Sequence, residues 1–296
     1  MARSLSGKTI LITGASAGIG HATALACGRA GMNVVVTARR EERLAEVVGA
    51  IEAAGGQGLA VPGDVQDDAH VRDAFEQAEQ TFGSIDAVFA NAGYGLFCPV
   101  ADMTDTDMRD MYETNVFGTV RVIQEAVPRF RRQGHGHVLI CTSSCSEVGL
   151  PMYGFYSSTK AAQDSLAGAL RAEVADDGIH VSTVHPIGTD TEFFEVVKDR
   201  SDLPRVGYNT PASLMHSSEK VADAVIKCLR RPRPEVWPGL LGLGVRFGLA
   251  ISTAFPRLAA WSMRRMVRQR YAGQSAAKPT ESESSPAQPA TESSAS

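Results

Sequence analysis

Two side chains that could exchange a proton stand four residues apart in the segment YSSTK, residues 156–160. Tyr156 and Lys160 would share one face of a helix, which brings the ammonium close to the phenol. A phenol ordinarily has a pKa near about 10, and a neighbouring cation favours the phenolate. The pair therefore predicts a general acid and base, although the same spacing also occurs in helices without any chemistry.

A second chemical signal is the glycine-rich segment TGASAGIG, residues 13–20. Gly14, Gly18 and Gly20 permit a tight turn and close backbone approach, and the helix that follows presents free N–H groups to a phosphate. The spacing is Gly-x-x-x-Gly-x-Gly, which differs from the Gly-x-Gly-x-x-Gly of many dinucleotide sites. Because the segment joins the first predicted strand to the first predicted helix, it indicates a dinucleotide site.

The second predicted strand ends in TARR, residues 37–40. An acidic residue in this region would bind the 2′-hydroxyl of NAD, but the chain has Arg39 and Arg40 there. A guanidinium suits a 2′-phosphate, so these residues predict NADP(H) as the cofactor. The alternative is that both arginines only face solvent at the start of the next helix.

Short apolar segments alternate with longer helical patterns along the chain. Strands are predicted at 8–13, 33–37, 58–61, 86–90, 137–142 and 180–184, and helices at 18–30, 41–54, 67–82, 104–132, 156–176 and 218–230. This alternation predicts an α/β fold with a doubly wound parallel sheet, the Rossmann fold, as a single domain with a C-terminal helical extension. The expected organisation is a Rossmann domain over 1–235, a basic amphipathic segment over 236–271 and a disordered tail over 272–296.

Composition narrows the compartment and the partners. The 296-residue chain has a formal net charge of −4, which gives no reason to expect nucleic acid as a partner. Five scattered cysteines favour a reducing, cytoplasmic compartment, and Cys141 and Cys145 match no standard metal-binding spacing. No metal is therefore expected.

The ordered set of motifs resembles the short-chain dehydrogenase/reductase family over roughly residues 5–232. The matches are TGASAGIG, GDV at 63–65, NAG at 91–93, Asn115 in TNVFG, and Ser143 placed thirteen residues before Tyr156. One departure is HPIGTDT, residues 185–191, where Ile187 stands in place of the family's usual glycine. Ser144 is the alternative to Ser143, and His185 is expected to be structural.

The resemblance implies hydride transfer between a nicotinamide and a substrate carbon. Its catalytic residues would be Asn115, Ser143, Tyr156 and Lys160. Tyr156 would exchange the proton and Ser143 would hold the substrate oxygen. Lys160 would lower the pKa of Tyr156 and hold the ribose, and Asn115 would support a water-linked proton relay. The cofactor-binding residues it implies are Gly14, Ser16, Gly18, Ile19, Gly20, Arg39, Arg40, Asp64, Val65, Asn91, Ala92, Gly93, Tyr156, Lys160, Pro186, Thr189 and Thr191.

The substrate is expected to be a lipophilic alcohol, ketone or aldehyde, because segments around Asn115 and Tyr156 look similar to members acting on hydroxysteroids and retinoids. Apolar residues could line its pocket or form core under a long loop; they are Phe193, Phe194, Val196, Leu203, Tyr208, Leu214 and Met215. The family also implies a homodimer or homotetramer. The competing interpretation is a non-catalytic NADP(H)-binding regulator, or a membrane-surface scaffold of the same fold.

The C-terminal segment carries a local charge asymmetry. From Val236 to Lys278 there are seven lysines and arginines and no acid. Arg246 and Pro256 interrupt its apolar runs too early for an uninterrupted membrane-spanning helix. Either the segment makes peripheral contact with an anionic membrane, or its apolar side packs over the substrate pocket or another subunit.

Overall fold

A seven-stranded parallel sheet forms the centre of the fold in the computed structural model, which describes residues 2–189 and 215–271. The strands are β1 Thr9–Thr13, β2 Asn33–Ala38, β3 Gln57–Pro62, β4 Ala87–Ala90, β5 Gly136–Cys141, β6 Ile179–Val184 and β7 Glu235–Val236. The helices within the described ranges are α1 Gly18–Arg29, α2 Glu41–Ala53, α3 Asp68–Phe82, α4 Asp105–Tyr112, α5 Gly118–Gln133, α6 Gly154–Glu173, α7 Ser218–Arg230, α8 Gly239–Ala254 and α9 Pro256–Tyr271.

The strand order is β3-β2-β1-β4-β5-β6-β7, and every pairing is parallel. The direction of winding reverses between β1 and β4, so a crevice opens at their carboxyl ends, where such sheets bind ligands. This topology confirms the predicted doubly wound Rossmann fold.

Helices cover both faces of the sheet, which explains why its strands are continuously apolar. On one face, α1, α2 and α7 pack over β1, β2 and β6 around residues such as Ile12 and Val36. On the other face, α3, α5 and α6 enclose Val88 of β4 and Val138 of β5, with Phe75 of α3 and Phe130 of α5 fully buried. The two apolar layers hold the strands in register, so that side chains from several strands meet at the carboxyl edge.

Two elements differ from the sequence-based prediction. The strand β7 is only two residues long, and such a short strand has no periodicity to detect. The helix predicted over 104–132 is divided by a turn of π-helix at Glu113–Phe117, between α4 and α5. A π turn contains one extra residue per turn, and it often marks a functional site.

The apolar side of the helix that carries Tyr156 is only partly buried. Leu170 and Val174 belong to the core, whereas Leu166 and Ala169 are exposed on the outer side of α6. The helix also begins two residues earlier than predicted, at Gly154. Tyr156 therefore lies in its first turn and Lys160 in its second.

The C-terminal extension consists of α8 and α9, separated by a sharp bend. In the described ranges, no single helix is long and apolar enough to cross a membrane; α8 together with Pro256–Arg265 meets that standard only as a pair bent by 113°. α8 is attached to the domain at Gly242, where a Cβ would lie 2.9 Å from the Trp237 carbonyl carbon. An ion pair of 3.0 Å between Arg246 and Glu235 holds it further along. The expected tail, 272–296, lies outside the described residues.

Candidate active site

The turn after β1 approaches other backbone so closely that only glycine fits. A Cβ on Gly14, which has φ +65°, would lie 2.8 Å from Cα of Ala92, and a Cβ on Gly20 would lie 2.4 Å from the Gly14 carbonyl oxygen. The first turn of α1 has neither an acidic residue nor a side-chain cap. Its N–H groups and helix dipole suit a pyrophosphate, and Ile19 packs against the core to hold the helix in place. The cradle therefore fits the phosphates of a dinucleotide.

The NAG segment ties the end of β4 to this turn. The side-chain amide of Asn91 donates to the carbonyl oxygens of Thr13, at 3.0 Å, and Gly14, at 3.2 Å. In return, the Thr13 hydroxyl accepts from the main-chain N–H groups of Asn91 and Ala92, both at 3.0 Å. Sequence reasoning missed Thr13, because a threonine at the end of a buried strand gives no signal of its own. Asn91 and Thr13 together set the shape of the crevice between β1 and β4.

The two arginines after β2 take different places. The guanidinium of Arg40 donates to the Ser16 hydroxyl at 3.0 Å and so lies against the glycine-rich turn. Arg39 is largely exposed, with Nη1 3.8 Å from a carboxylate oxygen of Asp64. Val65 is buried against Gly118. Positive charge therefore stands at the rim where a cofactor ribose would lie, and Asp64 faces that charge.

Asn115 lies in the π turn, completely buried, and its side chain is held by the protein. Its Oδ1 accepts from Tyr94 N at 3.0 Å, while Nδ2 donates to Tyr94 O at 2.9 Å and to the Thr159 hydroxyl at 3.0 Å. A Cβ on Gly93 would lie 3.0 Å from the same Oδ1. The π turn therefore brings Asn115 against both the end of β4 and the start of α6.

Ser143 and Tyr156 meet at the carboxyl end of β5. Ser143 follows the strand in extended conformation, accepts from Cys145 N at 3.1 Å, and forms a side-chain hydrogen bond with Tyr156. The main-chain N–H of the neighbouring Ser144 donates to Pro186 O at 3.0 Å, and its side chain forms a hydrogen bond with Cys145. The geometry thus favours Ser143 over Ser144 as the partner of the phenol.

Lys160 is buried in the floor of the crevice. Its Nζ lies 5.7 Å from the ring centroid of Tyr156 and donates to the carbonyl oxygen of Cys141 at 2.8 Å and to Oε1 of Gln163 at 2.9 Å. Burial lowers the pKa of Lys160, and Cys141 and Asp164 oppose this shift. The predicted proximity of Tyr156 and Lys160 is present in the folded chain.

The pKa of Tyr156 differs from the sequence-based expectation. Burial raises the pKa of this phenol well above its ordinary value, and the hydrogen bond with Ser143 opposes the shift. We expected Lys160 to lower the pKa, but in this geometry desolvation of the phenolate is the larger effect. Tyr156 is therefore held as the neutral phenol at neutral pH, which suits a proton donor.

The loop after β6 lies directly behind Ser143. Pro186 and Ile187 are buried, and Thr189 pairs with His216 in an isolated bridge. Ile187 thus occupies a packed position where the family commonly has glycine. Thr191 and the predicted pocket residues from Phe193 to Leu214 lie outside the described residues.

His185 supports this loop from within the core. Its ring stacks on Trp237 with centroids 4.3 Å apart, Nε2 lies 2.9 Å from the Thr183 hydroxyl, and Nδ1 lies 3.4 Å from the Ser143 carbonyl oxygen. With Asp164 and Glu147 it forms a group of potential metal ligands within 4.8 Å of one another. Both ring nitrogens of His185 already face protein partners, and the expectation of no metal stays a prediction.

Comparison with known proteins places the chain in a family. The sequence profile described as short chain dehydrogenase matches residues 8–202. The chain belongs to this family. Ketoacyl reductase HetN of a Nostoc species is 30% identical over 233 residues, which cover 78% of this chain and 78% of HetN. Membership of this family accounts for both the fold and the order of the motifs. The chain is therefore an oxidoreductase of the nicotinamide-dependent type.

Two solved structures of this short-chain dehydrogenase family share the fold. The 3-ketoacyl-(acyl-carrier-protein) reductase of Brucella melitensis, solved with NADH, has a TM-score of 0.68 and 26% identity over 77% of this chain and 93% of its own. The alcohol dehydrogenase of the archaeon Thermococcus sibiricus, solved with 5-hydroxy-NADP, has a TM-score of 0.66 and 27% identity over 77% of this chain and 94% of its own. These relatives carry nicotinamide cofactors of both kinds.

The glycine cradle generates the first prediction. Gly20→Ala places a methyl group against the Gly14 carbonyl, so we expect a loss of about 1–3 kcal/mol in the free energy of unfolding and loss of dinucleotide binding. Urea unfolding and cofactor fluorescence titration measure both. Gly49→Ala is the matched control: it lies on exposed α2 with open space around it, and should stabilise the protein by up to about 1 kcal/mol. Equal cofactor binding by both variants would show that the glycine-rich turn does not bind the dinucleotide.

Proposed function

We propose that this protein is an NADP(H)-dependent oxidoreductase that interconverts a lipophilic alcohol with its ketone or aldehyde. The observation that carries the proposal is the meeting of Ser143, Tyr156 and Lys160 at the carboxyl edge of the sheet, beside the glycine cradle. A protein that only bound the cofactor would need the cradle but not a phenol hydrogen-bonded to a serine next to a buried ammonium.

In the proposed reaction the bound nicotinamide supplies or accepts the hydride. During reduction, Tyr156 donates its proton to the substrate oxygen, on which negative charge develops. Ser143 donates a hydrogen bond to the same oxygen, and the Lys160 ammonium stabilises the phenolate that remains. During oxidation, the Tyr156 phenolate removes the proton from the alcohol. Because burial raises the pKa of Tyr156, reduction is supported at neutral pH and oxidation should quicken as the pH rises.

Substitution of the phenol tests this mechanism. Tyr156→Phe removes the exchangeable proton, so we expect turnover to fall by about 10²–10⁴-fold while cofactor binding stays within about twofold. The measurement is a turnover screen with NADPH and NADH against steroid, retinoid and simple ketones, and with the alcohols plus NADP⁺. Tyr112→Phe, which loses only a 2.9 Å hydrogen bond to Ser158, is the control. Full turnover by Tyr156→Phe would disprove the mechanism, and tight NADPH binding without any turnover would favour the regulator or scaffold.

The preference for NADP(H) rests on the charge at the rim of the cradle. Arg40 reaches the glycine-rich turn through Ser16, and Arg39 stands exposed next to it. A 2′-phosphate in this region would meet two guanidinium groups, which bind phosphate through paired hydrogen bonds. Asp64 is the competing carboxylate, and its 3.8 Å pairing with Arg39 reduces its capacity to accept from a ribose.

Charge removal distinguishes a phosphate-binding role from a role in supporting the turn. For Arg39→Ser combined with Arg40→Ser, we expect the dissociation constant of NADPH to rise about 10–100-fold and that of NADH to stay within about twofold. Arg43→Ser, an exposed residue paired with Glu46, serves as the control and should change neither constant. An equal loss for both cofactors would show that the arginines only brace the turn.

Apolar walls on both sides of Tyr156 support a lipophilic substrate. One cluster contains Leu96, Met103 and Met111, and the other is built around Phe97 and Tyr153; Tyr156 packs against both. The ring of Phe97 meets that of Tyr153 edge-on, with centroids 5.2 Å apart. A pocket with apolar walls and a few convergent polar groups is the usual form of a small-molecule site. The same screen, comparing steroid and retinoid substrates with short polar ketones, tests this assignment.

The exposed face of the C-terminal extension supports peripheral contact with an anionic membrane. Leu240, Leu243, Phe247 and Ile251 repeat at helical spacing along α8, with Leu240 87% and Phe247 70% exposed. On α9, Trp261 is 58% exposed. Arg257 and Arg265 are exposed on the same helix. Large exposed apolar side chains accompanied by arginines are typical of helices that lie in the interface of an anionic membrane.

The other side of the extension lies near the active-site loop. Pro151, in the loop before α6, shares a cleft of about 370 Å³ with Met263, Arg264 and Arg268 of α9. The two alternatives from the sequence therefore divide between two sides of one helical pair. One side adjoins the loop that leads to Tyr156, and the other is open to a membrane that could deliver a lipophilic substrate.

Vesicle co-sedimentation tests the membrane contact. We expect the wild type to sediment with vesicles containing phosphatidylserine more than with phosphatidylcholine alone, and less at high salt. Phe247→Glu with Trp261→Glu should reduce binding more than about tenfold, because each large apolar side chain contributes about 1.5–3 kcal/mol on burial. Val100→Glu, which changes an apolar residue that is 63% exposed outside the extension, is the control. Equal sedimentation of all three proteins would remove the membrane proposal.

A homodimer or homotetramer remains part of the proposal. The outer side of α6 leaves Leu166 and Ala169 exposed, and Phe117 is exposed in the adjoining π turn. A second copy of the chain would cover these residues in an isologous contact. Molar mass from light scattering measures the number of subunits, and a monomer at micromolar concentration would contradict this part of the proposal.

A further inference from the structure

Gln163 is a fully buried amide at the centre of the site, and the sequence analysis did not single it out. It lies on α6, three residues after Lys160, with 0% exposure. Its Oε1 accepts from Lys160 Nζ at 2.9 Å. Its Nε2 donates to the main-chain carbonyl oxygen of Asn115 at 2.6 Å and to the Thr119 hydroxyl at 2.7 Å. One carboxamide therefore connects two of the residues to which we assign catalytic roles.

In this arrangement the main-chain carbonyl oxygen of Asn115 accepts two hydrogen bonds. A carbonyl oxygen has two lone pairs. One accepts from Gln163 and the other accepts from the Thr119 hydroxyl at 2.8 Å. The sequence analysis led us to expect a water-linked proton relay at Asn115. In the structure, the side chain of Gln163 is bound there. A carboxamide neither gains nor loses a proton near neutral pH, so this link fixes positions and does not carry protons.

The ammonium of Lys160 depends on such fixed partners because it is buried. Two of its three N–H bonds are directed to Cys141 O and to Gln163 Oε1, and fixing two bonds of a tetrahedral ammonium also fixes the third. The titratable groups that surround it are Tyr156 and Asp164 from α6, Cys141 from β5 and Cys145 from the following turn. Burial raises the pKa of both thiols, so the hydrogen-bond partners of the ammonium are neutral dipoles, and the carboxylate of Asp164 favours the ammonium without a hydrogen bond to it.

We infer that Gln163 is a positioning residue: its carboxamide braces the Lys160 ammonium against the main chain at Asn115 and so sets the cation beside Tyr156. The inference rests on the proposed acid/base function of Tyr156. Removal of the Gln163 oxygen would leave the buried ammonium with one fewer acceptor. The ammonium would then lose its proton more easily, and Tyr156 would ionise less easily.

The first test is the pH dependence of alcohol oxidation, which needs the Tyr156 phenolate. Gln163→Met keeps the length of the side chain without its polar atoms. We expect the midpoint of the kcat profile to move up by about one pH unit, with kcat at neutral pH about tenfold lower and KM within about twofold. Thr119→Val is the matched control, because it removes a second partner of Gln163 Nε2 and leaves the contact with Lys160. A Gln163→Met profile that superimposes on that of the wild type would overturn the inference.

The second test reads the ammonium directly and does not need turnover. The chain has six lysines, so nuclear magnetic resonance of protein labelled at lysine Cε resolves Lys160, with Lys160→Met to assign its signal. We expect Gln163→Met to lower the pKa of Lys160 and Gln163→Glu, whose carboxylate would face the ammonium, to raise it. Shifts in opposite directions are a signature that a merely structural role of Gln163 would not produce.

The two tests separate the inference from the proposed function. If the Lys160 pKa moves as expected but Tyr156→Phe does not change turnover, the proposed function fails and the positioning role stands. If Gln163→Met does not fold, Gln163→Glu decides, and an unchanged Lys160 pKa in that variant overturns the inference. Unfolding by urea and cofactor titration establish that each variant retains the native fold.

Discussion

A charge buried at the carboxyl edge of the sheet is the constraint on which the site depends. The ammonium of Lys160 is removed from water, and an ion in such a place must be compensated by fixed dipoles or by another charge. The Cys141 carbonyl at the end of β5 and the Gln163 side chain on α6 supply these dipoles. Gly93, three residues after β4, lies next to this site, since a Cβ there would lie 3.0 Å from Oδ1 of Asn115 and 3.5 Å from Nζ. Strand ends, the π turn and α6 therefore meet at one cation.

The same edge divides into two halves, for which we propose a binding role and a reacting role. The binding half lies at β1 and β2, where glycines expose backbone N–H groups and two arginines add positive charge. The reacting half lies at β5 and α6, where burial keeps Tyr156 protonated next to Ser143. Asn91 joins the halves, because its side chain holds the end of β4 against the turn after β1. A cofactor bound as proposed in the first half would therefore lie next to the second.

The C-terminal extension is connected to the reacting half through a short series of contacts. Glu235 accepts from the indole N–H of Trp237 at 3.0 Å and pairs with Arg246 of α8. Trp237 stacks on His185, which in turn contacts the carbonyl group of Ser143. The residues next to Ser143 and the start of the C-terminal extension are therefore packed together. This connection explains how a helical pair with an open apolar face can be seated on the domain without a large buried area of its own.

The fold could be predicted from the amino-acid pattern, and the cradle and the candidate site residues could be proposed from it, because their signals are short segments of the chain. Strand and helix periods extend over a few residues, the glycines precede the first helix, and the separation of Ser143 from Tyr156 is a matter of counting. How these residues are held and charged depends instead on contacts between distant segments. Gln163 meets Asn115 across 48 residues of chain, and β7 exists only because β6 offers it an edge. The raised pKa of Tyr156 also depends on the tertiary structure. It follows from burial by segments that lie far apart in the sequence, so no local pattern predicts it.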